Sequence, residues 1–471
     1  MPPDDARLGR AGTATPEYSL SRSWAELRER FLPVEPGSGL WRYNRGSSPG
    51  DPVQGWKLHV SATVLSACDV FGRIAGPLAG RGVQFKAPRE LTDLGRLNSG
   101  IELGYSQIGK FVTVYPRSDS EAVSLADELH ALTSGLESPA VPFDAVYVPG
   151  SCVHYRYGAF AAAVLPDGSE DRSVFDRDGN RVPDDRERAV PAWVENPFPV
   201  LVPDAAGNGS GSPFATDFLI VSAISQRGKG GIYDAIDVTG GRPAKCVVKE
   251  GRKNGEVSWT GTDGRHMILH EGEVLRCLAR RSVPNVPRVI AEFERKANRY
   301  LVIGKLPGIS AEAAIRRRRR RLSVRRVLEF GSRAARLIAG IHRAGWIWND
   351  CKPANILVGE RGELYAIDFE NAFRIGFGPP FEWASPHFAA PDDRVGPERD
   401  VYGLAATLAY LLTGKLAPPR SQIDVGRDRA NVPPELRDLI RAATSFEERE
   451  IDGFSERLKA VPGVSPDSRI F

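Results

Sequence analysis

Two α+β domains joined by a short linker are the fold class this sequence predicts, and three observations carry it. At 471 residues the chain is long enough for two or three separate cores. The run Pro203-Asp-Ala-Ala-Gly-Asn-Gly-Ser-Gly-Ser-Pro213 has the composition of a flexible linker. Strand and helix signals occur on both sides of it. The N-terminal domain is therefore expected over residues 21–202, the linker over 203–213 and the C-terminal domain over 214–471. Residues 1–20, rich in Pro, Gly, Asp and Arg, are expected to be disordered.

Composition removes several classes. An apolar fraction of 41% and a charged fraction of 26% belong to a globular protein. A net charge of +4 is too small at this length to argue for nucleic acid. Cys68, Cys152, Cys246, Cys277 and Cys351 form no CxxC pair, so neither a zinc site nor a disulfide framework is expected, and reduced thiols suit the cytoplasm. The first residues lack the apolar run of a signal peptide. No stretch reaches membrane-spanning length, so no membrane partner is expected.

In the first domain, Lys57-Leu-His59-Val60 and Phe111-Val-Thr-Val-Tyr115 read as strands. Ser120 to Leu132 reads as an amphipathic helix with Leu125, Leu129 and Leu132 on one face and Gly135 beyond its end. Residues 166–190, dense in Asp, Arg, Gly and Pro, read as an exposed hairpin or long loop.

In the second domain, Gly228-Lys-Gly230-Gly231-Ile-Tyr233 lies between two β-rich runs, where a loop covering phosphates belongs. Alone it is a weak signal, since Gly-rich hairpins are common. Ala244 to Lys249 follows as a strand. His270 to Leu278 has helical spacing and offers Glu271, or failing that Glu273, as a partner for Lys249. Tyr300 to Gly308 has the pattern of a strand and hinge. Glu398 to Ala405 opens an apolar helix, with Asp400 placed to anchor a loop. No internal repeat is visible, and Arg316 to Arg321 is the single low-complexity run.

The chemistry concentrates in Trp346-Ile-Trp-Asn-Asp350-Cys-Lys352-Pro-Ala-Asn355, followed by Ile367-Asp368-Phe369-Glu370. Phosphoryl transfer needs a carboxylate to take the hydroxyl proton, here Asp350, and a cation to neutralise the moving group, here Lys352. It also needs oxygen ligands for Mg²⁺, here Asn355 and Asp368. As an ordered set these motifs resemble the protein-kinase superfamily over roughly residues 215–465. The resemblance implies a bilobal fold and ATP or GTP with Mg²⁺, with Gly228, Gly230, Gly231, Lys249 and Glu271 on the nucleotide side. Asn349 stands where the family has an Arg that reads a phosphate on the activation loop, so control by loop phosphorylation is not expected. Glu370 stands where the family has the Gly of Asp-Phe-Gly.

Ahead of the linker, Lys57-Leu-His59, Lys86, Lys110, Tyr115 and His154-Tyr-Arg156-Tyr-Gly-Ala-Phe put cations or proton-transfer groups on or beside strands. Singly, such residues are solvated edge charges; together they suit a phosphate-bearing ligand. Placed before a kinase with an Asp-Phe-Glu triplet, the series resembles the class III and IV lanthionine synthetases, whose first domain is similar to bacterial phosphothreonine lyases. That resemblance spans most of residues 20–460. It implies a bifunctional dehydratase of a ribosomally made precursor peptide with a leader: Ser and Thr are phosphorylated, then phosphate is eliminated to leave dehydroalanine or dehydrobutyrine. Lys86 becomes the base for the α proton and His59 the acid for the leaving phosphate. Lys57, Lys110 and Arg156 become phosphate or enolate ligands, helped by Tyr115. The family continues into a cyclase, which this chain is expected to lack or to receive from a separate protein. Two other readings stand beside this one: a regulatory Ser/Thr kinase with an unrelated sensor domain, and a scaffold built on an inactive kinase fold. The arginine run suits either an acidic peptide or plain solvent.

Overall fold

The computed structural model of the chain describes residues 15–35, 39–161, 163–164, 170–199, 216–318, 321–381, 385–391 and 394–462. The linker over 203–213 lies outside the described residues. Two compact units form: residues 1–212 with 224–231 and 251–265, and residues 213–223 with 232–250 and 266–471. The two inserted segments mean that the boundary is not a single cut at the linker.

The first unit is an antiparallel sheet backed by helices. Helix α1 (Pro16–Phe31) starts inside the stretch expected to be disordered. Thr15 caps it by accepting the Tyr18 amide, Pro16 fits the first turn, and buried Trp24 anchors it, so the expectation of disorder is corrected for residues 16–20. Then follow β1 (Trp41–Tyr43), β2 (Gln54–Val60), α2 (Ala67–Gly80), β3 (Gln84–Pro88), α3 (Leu91–Ser99), β4 (Val112–Tyr115), α4 (Asp119–Thr133), β5 (Ala145–Val146) and β6 (Val153–Ala159). The six strands lie in the order β1-β3-β4-β2-β6-β5. Leu58, Val60, Phe85, Val112, Val114 and Val153 point to one face and pack with Phe71 and Ile74 of α2 and Leu125 and Leu129 of α4. By the two-residue alternation of a strand, the residues between them must line the opposite face. Two short hairpins follow, β7 (Ala163–Val164) with β8 (Glu170–Asp171) and β9 (Ser173–Phe175) with β10 (Arg181–Pro183).

The second unit has a five-stranded sheet in the order β11-β12-β13-β15-β14, from β11 (Phe218–Arg227), β12 (Gly230–Asp237), β13 (Ala244–Gly251), β14 (Val289–Arg295) and β15 (Asn298–Gly304). Helix α5 (Gly264–Arg280) intervenes between β13 and β14. Beyond β16 (Ile309–Ser310) and α6 (Ala311–Arg318), the helical part comprises α7 (Val324–Arg343), α8 (Glu398–Thr413), α9 (Pro434–Thr444) and α10 (Ile451–Lys459). Its core joins Phe330 and Ile338 of α7, Leu404, Leu408 and Leu411 of α8, Leu439 of α9 and Phe454 of α10. Between α7 and α8 lie β17 (Trp346–Ile347), β18 (Ile356–Val358), β19 (Leu364–Ala366) and β20 (Phe373–Arg374). Pairing of β18 with β19 and of β17 with β20 holds the Asp350 and Asp368 segments in place. No helix among the described residues is long and apolar enough to cross a membrane.

Candidate active sites

In the first unit the register gathers the cationic residues. Tyr43 lies opposite Lys86, Lys86 opposite Thr113, Thr113 opposite His59, and His59 opposite His154. Two residues along, Gln84 lies opposite Tyr115 and Lys57 opposite Arg156. Direct cross-strand partners share a face. Lys57, His59, Lys86, Tyr115, His154 and Arg156 therefore line the face turned away from the helices. Lys110 joins them from the loop before β4. Gly109, at φ +74 and with a would-be Cβ 2.9 Å from the Ser61 hydroxyl, turns the chain just ahead of it.

Two carboxylates absent from the sequence reading organise this face. Asp144 Oδ2 lies 2.5 Å from His59 Nδ1, and its Oδ1 lies 3.1 Å from Lys110 Nζ. Asp184 Oδ1 accepts from Arg156 Nη2 at 2.6 Å, and the Asp185 carbonyl takes the same nitrogen at 3.0 Å. Asp184 and the charges of Arg172 and Arg186 come from the stretch read as exposed loop; its Asp184 side chain is buried. Phe143, just before Asp144, has φ +65, a strained value for an aromatic residue beside a functional group.

Burial sets the protonation of this face. It pushes the Lys57 ammonium down to about 7, with Arg156, Lys86 and Lys110 adding to the shift against Asp184. Burial likewise brings Lys86 to about 8, helped by Arg172, Arg186 and Lys110. It lowers Lys110 and takes His59 to about 3, against the pull of Asp144. For Asp144 burial alone would act upward, but His59, Lys110 and Arg156 outweigh it and keep the carboxylate ionised. The face thus carries two amines that lose their protons near pH 7 and pH 8 and a neutral imidazole whose Nδ1–H must be the donor to Asp144. Lys86 Nζ also sits 4.4 Å from the Trp41 ring centroid and 5.8 Å from that of Tyr43. Lys57 Nζ has no hydrogen-bond partner among the described residues, and Arg156 Nε is buried without one.

In the second unit Lys249 of β13 meets three carboxylates: Glu271 of α5 at 2.5 Å, Asp368 at 3.0 Å and Glu370 at 3.3 Å. Burial opposes its charge, but Asp368, Glu271 and Glu370 outweigh burial and hold its pKa well above the ordinary lysine value. The oxygens of Glu271, Asp368 and Glu370 lie within 4.8 Å of one another, gathered around the Lys249 ammonium. Asp350 Oδ2 accepts from Lys352 Nζ at 2.8 Å and Asn355 Nδ2 at 2.7 Å. Asn355 Oδ1 makes no hydrogen bond among the described residues, leaving an acceptor for a cation. Ser385, which the sequence reading passed over, donates to Asp350 Oδ1 at 3.1 Å and accepts from Lys352 Nζ at 2.7 Å.

The supporting contacts are equally specific. Asp400 accepts the amides of Trp348 and Asn349 at 2.8 and 2.7 Å and takes His342 Nε2 at 2.8 Å. Asn349, at φ +63, accepts from Arg399 Nε at 2.6 Å and donates to the Asn371 carbonyl at 3.1 Å. Trp348 is core, stacked on Phe369 at 5.9 Å, and the Phe369 amide donates to Glu271 at 3.0 Å. Gly228, Gly230 and Gly231 lie at the β11–β12 turn, which groups with the first unit instead of with Lys249. There Gly228 N–H donates to the Ser99 carbonyl at 2.9 Å, and a Cβ on Gly228 would stand 1.6 Å from the Asn98 carbonyl oxygen. Arg316 pairs with Glu312 at 2.8 Å on α6; Arg319 and Arg320 lie outside the described residues.

A five-stranded sheet with a Lys–Glu pair, followed by a helical part whose α7–α8 connection carries Asp350, Asn355 and Asp368, defines the class as a kinase. Residues 225–460, half of the chain, match the protein kinase domain, and the chain belongs to that family. Residues 34–209 match the family described as RamC, N-terminal domain. Over both parts together the chain is 28% identical across 477 residues to the "Probable SapB synthase" of Streptomyces coelicolor, covering 96% of this chain and 48% of that protein. The kinase part is 27% identical over 228 residues to serine/threonine-protein kinase F of Synechocystis, covering 42% of this chain and 44% of that one. A stretch of 114 residues is 40% identical to serine/threonine-protein kinase PknK of Mycobacterium bovis, covering 22% of this chain and 10% of PknK. The chain thus spans about half the length, or less, of these relatives.

Proposed function

We propose that the chain is a cytoplasmic bifunctional dehydratase of lanthipeptide type, acting on Ser and Thr of a ribosomally made precursor peptide with a leader. The observation that carries this reading is the single sheet face holding Lys57, His59, Lys86, Lys110, Tyr115 and Arg156 ahead of a kinase. Likeness to a SapB synthase along nearly the whole chain supports it.

In the kinase half, Asn355 and Asp368 would hold Mg²⁺, which would neutralise charge on the phosphates of ATP or GTP, the source of the phosphoryl group. Asp350 orients the substrate hydroxyl and takes its proton. Lys352 screens the charge beside it, and Lys249, fixed by Glu271, faces the remaining phosphates. In the first unit, Lys86 takes the α proton of the phosphorylated residue. The released electron pair forms the Cα–Cβ double bond, and the Cβ–O bond to phosphate breaks. His59 gives its proton to the departing oxygen once the phosphate's negative charge has raised its pKa. Lys57, Lys110 and Arg156 bind the phosphate and the enolate-like oxygen, where fixed cations act most strongly because water is excluded.

Mass spectrometry of a candidate precursor, after incubation with nucleotide and Mg²⁺, tests the assignment. Lys86→Met is expected to accumulate phosphopeptide. Asp350→Asn is expected to make none, yet still to dehydrate an added synthetic phosphopeptide. A Lys86→Met variant that dehydrates at the wild-type rate would overturn the base assignment. Stable phosphopeptide as the end product of the wild-type protein would favour a regulatory kinase instead.

A further inference from the structure

Beside the cationic face the first unit holds a groove of about 800 Å³ that none of the proposed chemistry uses. Tyr43, Gln84 and Tyr115 belong to both. They stand in the same cross-strand rows as Lys86 and Lys57, so the groove opens directly from the place where the phosphate is expected.

The groove differs from that face in chemistry. Its charged lining is internally neutralised: Arg45 grips Asp51 through two contacts of 2.7 Å, and Arg181 pairs with Asp171, which also accepts from Ser173 Oγ at 2.7 Å. Gln54 is spent on the backbone of Phe175, donating to its carbonyl at 2.8 Å and accepting its amide at 2.6 Å. What remains is largely apolar, with Tyr43, Tyr115, Gln84, Ser47 and Ser48 as its uncharged polar residues. Val53 is 72% exposed and Phe175 48% exposed, and Phe160 packs edge-on against Tyr115 at 5.1 Å. Val53 and Phe175 thus give the groove an exposed apolar lining next to the cation cluster.

We infer that this groove is the subsite for an uncharged, apolar residue flanking the phosphoserine or phosphothreonine of the peptide. The inference rests on the lyase reading and deepens it to substrate choice. One extended residue spans about 3.3–3.6 Å, so the neighbour of a phosphoresidue on the Lys57–Lys86 rows is carried past Tyr115 into the groove. A charged neighbour would find every counter-charge already paired and would lose water without replacement. The phosphate supplies affinity, and the groove selects among phosphopeptides.

The test uses the full chain without nucleotide and a set of synthetic phosphopeptides, identical except for Leu, Ala, Asp or Lys beside the phosphoserine. Elimination kcat/KM is expected to be about tenfold higher for Leu than for Ala on one flank, and lower again for Asp and Lys. Val53→Asp, at an exposed position that tolerates change, is expected to erase the Leu preference and to improve the Lys peptide relative to the Ala peptide. Phe175→Ser is expected to erase the preference without the gain for Lys. Elimination from all four peptides at equal kcat/KM overturns the subsite alone, as does a Val53→Asp variant that keeps the wild-type preference. Failure to eliminate phosphate from any peptide overturns the lyase reading, and the subsite with it.

Discussion

Nδ1 of His59 lies 2.5 Å from Oδ2 of Asp144, a carboxylate whose side chain has no exposed surface. The same carboxylate reaches Lys110 at 3.1 Å, so one buried negative charge positions two members of the cationic face. An unpaired buried cation is costly, and Asp144 offsets that cost for Lys110 while fixing the His59 tautomer.

Asp144→Asn keeps the shape and removes the charge. Elimination from a synthetic phosphopeptide is expected to fall by about 10²-fold, chiefly in kcat, because His59 loses its fixed tautomer. Phosphorylation by the kinase half is expected to stay unchanged. A purely structural role would lower both activities together with the melting temperature. The two readouts therefore separate positioning from folding.

The lowered lysines give elimination a defined pH dependence. Lys86 must be neutral to accept a proton, so kcat/KM is expected to rise with pH through about 8 and then level off. A limb near 7 instead would name Lys57 as the base. Bound phosphate raises every nearby pKa, so binding of phosphopeptide to Lys86→Met at pH 7.5 is expected to take up protons. Calorimetry in two buffers of different ionisation enthalpy measures that uptake, and identical apparent enthalpies would refute it. Stability carries the matching sign: between about 7 and 10.5 the unfolded chain holds the Lys57 proton that the folded chain has lost. This group therefore makes stability rise with pH across that window.

Ser385 places a hydroxyl between Asp350 and Lys352, where it fixes both for an incoming substrate hydroxyl. Ser385→Ala is expected to lower the phosphorylation kcat about tenfold and to leave nucleotide affinity and phosphopeptide elimination as they were. Ser385→Thr, which keeps the hydroxyl, is expected to restore most of the rate. Equal loss in both variants would assign the effect to packing.

Much of this arrangement is legible in the sequence because it is local. Lys57 and His59 are two apart on one strand, so they share a face wherever that strand pairs. Asp350, Lys352 and Asn355 occupy one loop. The helix read over Ser120–Leu132 forms as α4, since Ser118 caps it and Leu125 and Leu129 repeat on its buried side. What local pattern does not carry is partnership across distance. Asp144 is a single acid in a loop, 85 residues from His59, and only the sheet topology brings them together. Arg172, Asp184 and Arg186 sit in a polar stretch whose composition marks a loop but not which loop residues turn inward. The grouping of residues 224–231 with the first unit depends on a close backbone approach between Gly228 and Asn98, for which a glycine in the sequence is a permissive condition and not a signal.

Glu370 adds a third carboxylate to Lys249, at 3.3 Å, where Glu271 and Asp368 already neutralise it. The surplus negative charge faces the place where nucleotide phosphates must come, so it opposes binding until a cation screens it. Glu370→Gln removes the charge at constant size, and Glu370→Gly additionally frees the backbone after Phe369. Both are expected to tighten nucleotide binding in EDTA about fivefold, or roughly 1 kcal/mol, with a smaller gain at saturating Mg²⁺ and at high salt. A gain confined to Glu370→Gly would trace the effect to chain flexibility instead of charge. Unchanged affinity in both variants would mean that Glu370 turns away from Lys249 when nucleotide binds. Titration of a fluorescent nucleotide analogue, with and without Mg²⁺, distinguishes the three outcomes.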